Sequence, residues 1–245
     1  MIHDPFTGIS HTLNIDCTVL MAMVSELSHT SDLQQQEWYN GYVKYQVKEE
    51  KSQPVLTTFY YPVMDQHPLV TTREAYVLFM SIVDEIGTET EKKRAHILLQ
   101  DDTEDGFEKL SVNDRGLAWG ELSSFEVPPG LHLPIKIVSK DEMYSDADWQ
   151  SAQPFPARLA TRAVEGLSDA NKAVFIYGWR TGRTTISTNV TVTNKVRTAL
   201  ETCRSEDEAD LGGPAVWHLA PSRSLLAREK TRSDSRRLRD APSDV

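Results

Sequence analysis

Cysteine is nearly absent from this 245-residue chain. Cys17 and Cys203 stand alone, in no CxxC pair and no metal-finger spacing, which gives no evidence for disulfides and suits a reducing compartment. Long apolar runs are missing too: the longest, Cys17 to Val24, falls far short of the ~20 residues a helix needs to cross a bilayer. The first residues, MIHDPFTGIS, show no basic stretch followed by an apolar core, so no secretory signal is read. An intracellular protein of the cytoplasm or nucleus, with no membrane partner, is the expectation. Positive charge is scarce, with 26 Lys and Arg against 36 Asp and Glu and a net charge of −10. That argues against binding nucleic acid or anionic lipid over the whole surface. The seven histidines are scattered and form no HExxH, and no GxSxG is present. The stretch Gly178-Trp179-Arg180-Thr181-Gly182-Arg183 sets its glycines one residue too close for a phosphate-wrapping loop and has Arg where Lys belongs, so no nucleotide cofactor is expected.

What is present is enough apolar residue, 39%, for one substantial core. A short strand is expected at 12–16 and a helix at 17–29, where Val19, Leu20, Met23, Val24 and Leu27 recur at helical spacing. Residues 41–63, with β-formers alternating around a charged turn, read as a hairpin. Thr71 or Thr72 is placed to cap a helix that is apolar at Ala75, Leu78, Phe79, Ile82 and Val83, and 88–100 continue as a second short helix. Residues 101–108 crowd five acids and read as a solvated loop. A strand follows at 135–140, irregular chain to 156, a helix at 157–168, two core strands at 173–178 and 184–189, a helix at 193–204, a strand at 215–220 and a last helix at 222–230. The domain is expected to span 11–230, followed by a polar, disordered tail at 231–245. Alternating strands and helices predict an α/β layer structure around a mainly parallel sheet, with Asp16 and Asn189 at one edge.

Asp16 sits where the first strand meets the helix it feeds, at the seam of the most apolar segment in the chain. Two readings stand side by side. Its carboxylate can cap the helix by accepting N–H bonds from the first turn. The same position, beyond the carboxyl end of a parallel strand, is where ligands bind in such sheets, and a carboxylate there can hold Mg²⁺ or Mn²⁺. Glu74, in the first turn of its helix, is the second candidate ligand, or else a capping-box glutamate. A third should end a later strand, and TTISTN ends in Asn189. From Ala170 to Leu200 there is no acid at all, only Lys172, Arg180, Arg183, Lys195 and Arg197. This basic island reads either as ordinary surface or as a phosphate-tracking face, with Tyr177 or Trp179 stacking a base.

The blocks LNIDCTVLMAMVSELSH, PLVTTREAYVLFMSIVDEIG followed by EKKRAHILL, VFIYGWRTGRTTISTN, KVRTAL and SRSLLAREK, in that order over residues 11–230, together resemble the domain of unknown function 1308 family, a PIN-like group of fungi and animals. The resemblance implies a PIN-like three-layer α/β sandwich akin to flap-type nucleases. It also implies RNA cleavage with Mg²⁺ or Mn²⁺ held by an Asp ending strand one, a helix Glu and later Asp residues. Asp16 matches the first and Glu74 the second. Asn189 stands where such nucleases place an Asp, and Gly178-Trp179-Arg180 replaces the Gly-Thr-Gly-Asp that the family shows after its VFIYG strand. Family members carry a further N-terminal region, which points to this chain as a shortened form or half of a longer design. The expectation is a degenerate PIN-like domain whose partner is single-stranded RNA or a protein, with Asp16, Glu74 and Asn189 at the former catalytic site. Arg180, Arg183, Lys195 and Arg197 would be the RNA-binding residues. The alternative is a weak metal-dependent ribonuclease completed by Asp114 or Glu121.

Overall fold

The computed structural model describes residues 8–99, 111–139, 142, 155–208 and 211–226. Five strands form a single sheet: β1 (Leu13–Ile15), β2 (Leu69–Thr72), β3 (Lys136–Val138), β4 (Thr184–Ser187) and β5 (Val216–His218). Their order is β3-β2-β1-β4-β5 and every pairing is parallel. Asn14 lies opposite Val70 on one side and Thr185 on the other. Parallel strands need crossovers, and helices supply them.

After β1 come α1 (Cys17–Val24), α2 (Glu26–His29) and α3 (Gly41–Ser52), a π-helical turn at Leu56–Tyr60 and α4 (Tyr61–Met64). α5 (Arg73–Ile86) and α6 (Glu89–Leu98) follow β2, and α7 (Val112–Glu121) precedes β3. α8 (Ala157–Ala163) and α9 (Asp169–Arg180) lead into β4, and α10 (Val190–Cys203) leads out of it. Leu13, Ile15, Leu69 and Ile186 enter the main core with α1, α4 and α5. On the opposite face Asn14 reaches α9, its amide donating to the Val174 carbonyl at 2.9 Å and the Thr185 hydroxyl at 3.0 Å. That close approach requires Gly178: a Cβ there would collide with Thr185 Oγ1 and lie 3.1 Å from Asn14 Nδ2. α8, α9 and α10 share their own apolar cluster around Phe175, Trp179, Val192 and Val196. Helices on both sides of a parallel sheet make the three-layer α/β sandwich expected from the alternation. No helix among the described residues is long and apolar enough to cross a membrane.

Three expectations are corrected. Residues 41–63 are not a hairpin but α3, the π turn and α4. Val43, Gln46, Val47 and Glu50 recur at helical spacing and are all buried, but two of them are polar, so the stripe does not show in hydropathy. Residues 173–178 are not a strand but the apolar middle of α9, which starts at Ser168, whose side chain accepts from the Asn171 amide. A short apolar run cannot by itself separate a strand from a buried helix. The fifth strand is instead Leu69–Thr72, every residue of it buried. Residues 222–226 take no regular secondary structure and are not helical. The acidic loop at 101–108, most of the irregular stretch after 140, residues 227–230 of the expected last helix and the tail at 231–245 lie outside the described residues.

Candidate functional site

Strand order reverses at β1: the chain steps outward to β2 and β3 on one side, then crosses to β4 and β5 on the other. In open parallel sheets the crevice beyond the carboxyl ends at this reversal is where ligands bind. Asp16 follows β1 and the Ser187-Thr188-Asn189 turn follows β4, so both flank that point.

Asp16 is 1% exposed. Its Oδ2 accepts the hydroxyl of Ser187 at 2.6 Å and that of Thr18 at 2.8 Å. Those hydroxyls in turn accept from the far turn: Asn189 N–H donates to Ser187 Oγ at 3.0 Å, and Thr188 N–H donates to Thr18 Oγ1 at 3.3 Å. Asp16 occupies the N-cap position of α1, where its side chain makes no standard capping hydrogen bond to the N2 or N3 amide. Burial raises its pKa, and the two hydroxyls and the Cys17 and Thr18 amides act against that rise. Next door, burial and then the Asp16 charge push the Cys17 thiol up to about 12, so it is no nucleophile.

Glu74 is the second residue of α5, whose N-cap Thr72 accepts from the Ala75 amide at 3.4 Å. It therefore does not hold the capping-box position, which in this chain belongs to Glu91 of α6. Because Asn14 pairs with Val70, Asp16 and Glu74 follow neighbouring strands at the same edge. Asn189 is also at that edge, but its side-chain oxygen caps α10, accepting from Val192 N–H at 3.1 Å. Asp114 is exposed at the start of α7, bonded to Ser111 at 2.6 Å, and Glu121 is exposed at its end. Among the described residues no three His, Cys, Asp or Glu side chains come together as metal ligands. A pair of cations ~4 Å apart needs several carboxylates, and the donor set at Asp16 does not fit one.

Sequence reasoning missed three buried residues, of which Tyr60 lies within electrostatic reach of this acid. Tyr60, fully buried at the end of the π turn, donates its hydroxyl to the Pro221 carbonyl at 3.0 Å. Its phenol is raised by burial, then lowered by the nearby Arg223 and raised by Glu50 and Asp16. Arg223 Nε donates to Glu50 Oε2 at 2.7 Å, with both side chains 5% exposed. Arg223 belongs to SRSLLAREK, one of the blocks singled out above, but Glu50 lies 173 residues earlier, and no local spacing connects the two.

The basic island divides. Arg180 ends α9 and Arg183 immediately precedes β4, so both lie at the sheet edge opposite Asp16. Their guanidinium groups stand over the rings of Phe155 and Tyr177, at 5.9 and 5.2 Å. Lys195 and Arg197 are exposed on the first turns of α10, the helix that leaves the Asp16 edge. Lys172 lies 3.7 Å from Asp169 on α9. Tyr177 and Trp179 are 2% and 8% exposed, so neither offers a ring face to a base, and that stacking expectation is withdrawn.

Residues 13–105, from β1 to just beyond α6, match a family described as "Protein of unknown function (DUF1308)". The match takes in Asp16 and Glu74 and stops short of β4 and α10. No curated protein and no solved structure matches the chain.

Proposed function

We propose that this chain is a PIN-like domain that binds single-stranded RNA at its carboxyl edge without cutting it. The observation that carries this reading is the state of Asp16. Its carboxylate is sealed from water and already accepts two hydroxyls through one oxygen. Two-metal hydrolysis needs that same acid open to cations and joined by others. Glu74 is a further acid at this edge, and Asn189 contributes an amide that is occupied in capping α10.

Binding asks less of the site. α1, α5 and α10 all begin at this edge, and their dipoles favour anionic phosphate there. Lys195 and Arg197 add full charges on the exposed side of α10. A strand continuing past them would travel about 13 Å along β4, at ~3.3 Å per residue, before meeting Arg183 and Arg180.

A labelled single-stranded RNA titrated at several salt concentrations tests this directly. Binding should weaken steeply with salt. Replacing Lys195 and Arg197 together by Gln should make the log–log slope shallower by about 1.4, since each phosphate contact on a single strand contributes roughly 0.7. The pair Arg180→Gln/Arg183→Gln should change it less. Incubation with Mn²⁺ should leave the RNA intact. Cleavage abolished by Asp16→Asn would replace this reading with a weak Mg²⁺- or Mn²⁺-dependent ribonuclease. RNA neither bound nor cut would leave a protein partner as the reading.

A further inference from the structure

α3 leaves an unusual face uncovered. Val43, Gln46, Val47 and Glu50 are buried, while Tyr42 and Tyr45 are 59% and 58% exposed and Trp38, just before the helix, is 43% exposed. Large aromatics in water are costly, and three on one short segment call for a covering partner. Tyr42 and Tyr45 are three residues apart and share one stripe of the helix. Lys44, Lys48 and Lys51, at spacings of four and three, form the adjacent stripe. Lys48 and Lys51 are exposed, and Lys44 is half-buried with its ammonium donating to the Glu37 carbonyl at 3.3 Å. The acids here are Glu37, exposed before the helix, and Glu49, half-buried beside the tyrosines. Glu50 points inward to Arg223.

Aromatic faces alongside a row of ammonium groups are the chemistry of a single-strand platform: bases stack on the rings and phosphates follow the cations. More positive charge follows in the sequence. Leu226, the last described residue, packs against the Tyr39, Val43 and Val47 cluster behind α3. The sequence beyond it, 227–239, carries Arg228, Lys230, Arg232, Arg236, Arg237 and Arg239 against Glu229 and Asp234. In a chain of net charge −10 this is a marked local excess.

We infer that Trp38, Tyr42 and Tyr45 form a base-stacking platform for single-stranded nucleic acid, with Lys44, Lys48 and Lys51 tracking its backbone. The inference takes its ligand class from the proposed function but stands on different residues and a different kind of contact. Stacking does not release counterions, so it separates from phosphate binding by its salt dependence.

The experiment uses the full chain and two labelled probes, an oligouridylate of about 15 nucleotides and an abasic oligomer of equal length. Tyr42→Ala and Tyr45→Ala should each weaken oligouridylate binding about ten-fold, in keeping with 1–3 kcal/mol per stacked base. That loss should be equal at every salt concentration and absent on the abasic probe. Tyr45→Phe should restore affinity. Oligouridylate should quench tryptophan fluorescence in the wild type and not in Trp38→Phe. Lys48→Gln/Lys51→Gln should instead flatten the salt slope on both probes. If the tyrosine variants bind as wild type while Lys195→Gln/Arg197→Gln flattens the slope, this inference is wrong and the proposed function stands. If the tyrosine variants weaken binding while that α10 pair changes nothing, the α10 reading is wrong and this one stands. If oligouridylate does not bind, both fall, and the aromatic face is a protein contact or is covered by the chain's own tail.

Discussion

Asp16 and Glu50 are both carboxylates sealed from water, and the protein holds them in opposite ways. Glu50 has a fixed cation, Arg223 at 2.7 Å, and a backbone donor, Val55 N–H at 2.8 Å. Asp16 has the neutral hydroxyls of Thr18 and Ser187. Burial raises the pKa of each, and at Glu50 the guanidinium and the Val55 amide act against that rise. A buried acid serving architecture is expected to have its charge offset, because an uncompensated one costs several kcal/mol. Glu50 fits that description. It anchors an irregular strap in which Gln46 donates to the Ser222 carbonyl, Ser25 to that of Ser224, and Leu226 N–H to Glu91. Asp16 does not fit it. An acid held by hydroxyls and backbone amides, with no cation among its named partners, carries a charge that burial disfavours.

The sharpest way to break this comparison is at Arg223. Arg223→Leu leaves the Glu50 carboxylate buried without its cation and should destabilise the fold by about 3–5 kcal/mol in urea denaturation. Adding Glu50→Gln should recover part of that loss, since the remaining group is neutral. If Arg223→Leu unfolds at the wild-type midpoint, the pair holds nothing and the contrast with Asp16 fails.

A smaller effect is expected at Asp16. Asp16→Ala removes the acceptor of two hydroxyls and should cost about 1–3 kcal/mol. Asp16→Asn keeps the shape and an accepting oxygen while removing the charge, so it should match or exceed wild-type stability. An asparagine variant as unstable as the alanine one would mean that the charge itself stabilises the turn, which would put Asp16 in the same class as Glu50.

This contrast also marks how far the sequence could be read. Asp16 was legible because a polar residue at a strand-to-helix junction stands out locally, and the parallel sheet followed from the alternation. Asn189 was correctly placed at the same edge, since TTISTN ends β4. Glu50 was not legible. Its partner lies 173 residues away, and its burial by the strap gave α3 a partly polar inner stripe that resembled strand alternation. The apolar run AVFIYG misled in the opposite way: α9 is buried between the sheet and the α8–α10 cluster, so its hydropathy lacks the polar face that marks a surface helix. Leu69–Thr72 escaped because four buried residues directly abut a strong helix signal. The division of the basic island follows from strand direction: Arg183 precedes β4 and Lys195 follows it, a separation invisible until β4 is known to run between them.

The smallest expected effect is in pH, and it separates the two acids most finely. Asp16 holds its proton to higher pH in the folded state than its ordinary value of 3.8. Between those two values the native state binds more protons than the unfolded one, so Asp16 makes stability fall as pH rises through the window, and the loss is complete above the folded value. Glu50 and Glu91 act with the same sign from 4.5 upward, whereas Glu142, whose pKa is lowered chiefly by Lys136, acts with the opposite sign. The profile of the whole protein is therefore a sum, and only a difference isolates Asp16. Urea midpoints of the wild type and Asp16→Asn, taken from about pH 3 to about pH 8, should nearly coincide at the acid end, where both groups are neutral. The asparagine variant should then gain on the wild type as pH rises and level off once Asp16 is ionised. Glu50→Gln should gain in the same sense from 4.5 upward, with the Val55 amide and the Arg223 guanidinium holding that gain back. A difference that stays flat with pH for Asp16→Asn would mean that the hydroxyl cage stabilises the ionised acid as fully as water does, and the distinction between the two carboxylates would then be one of partners and not of energy.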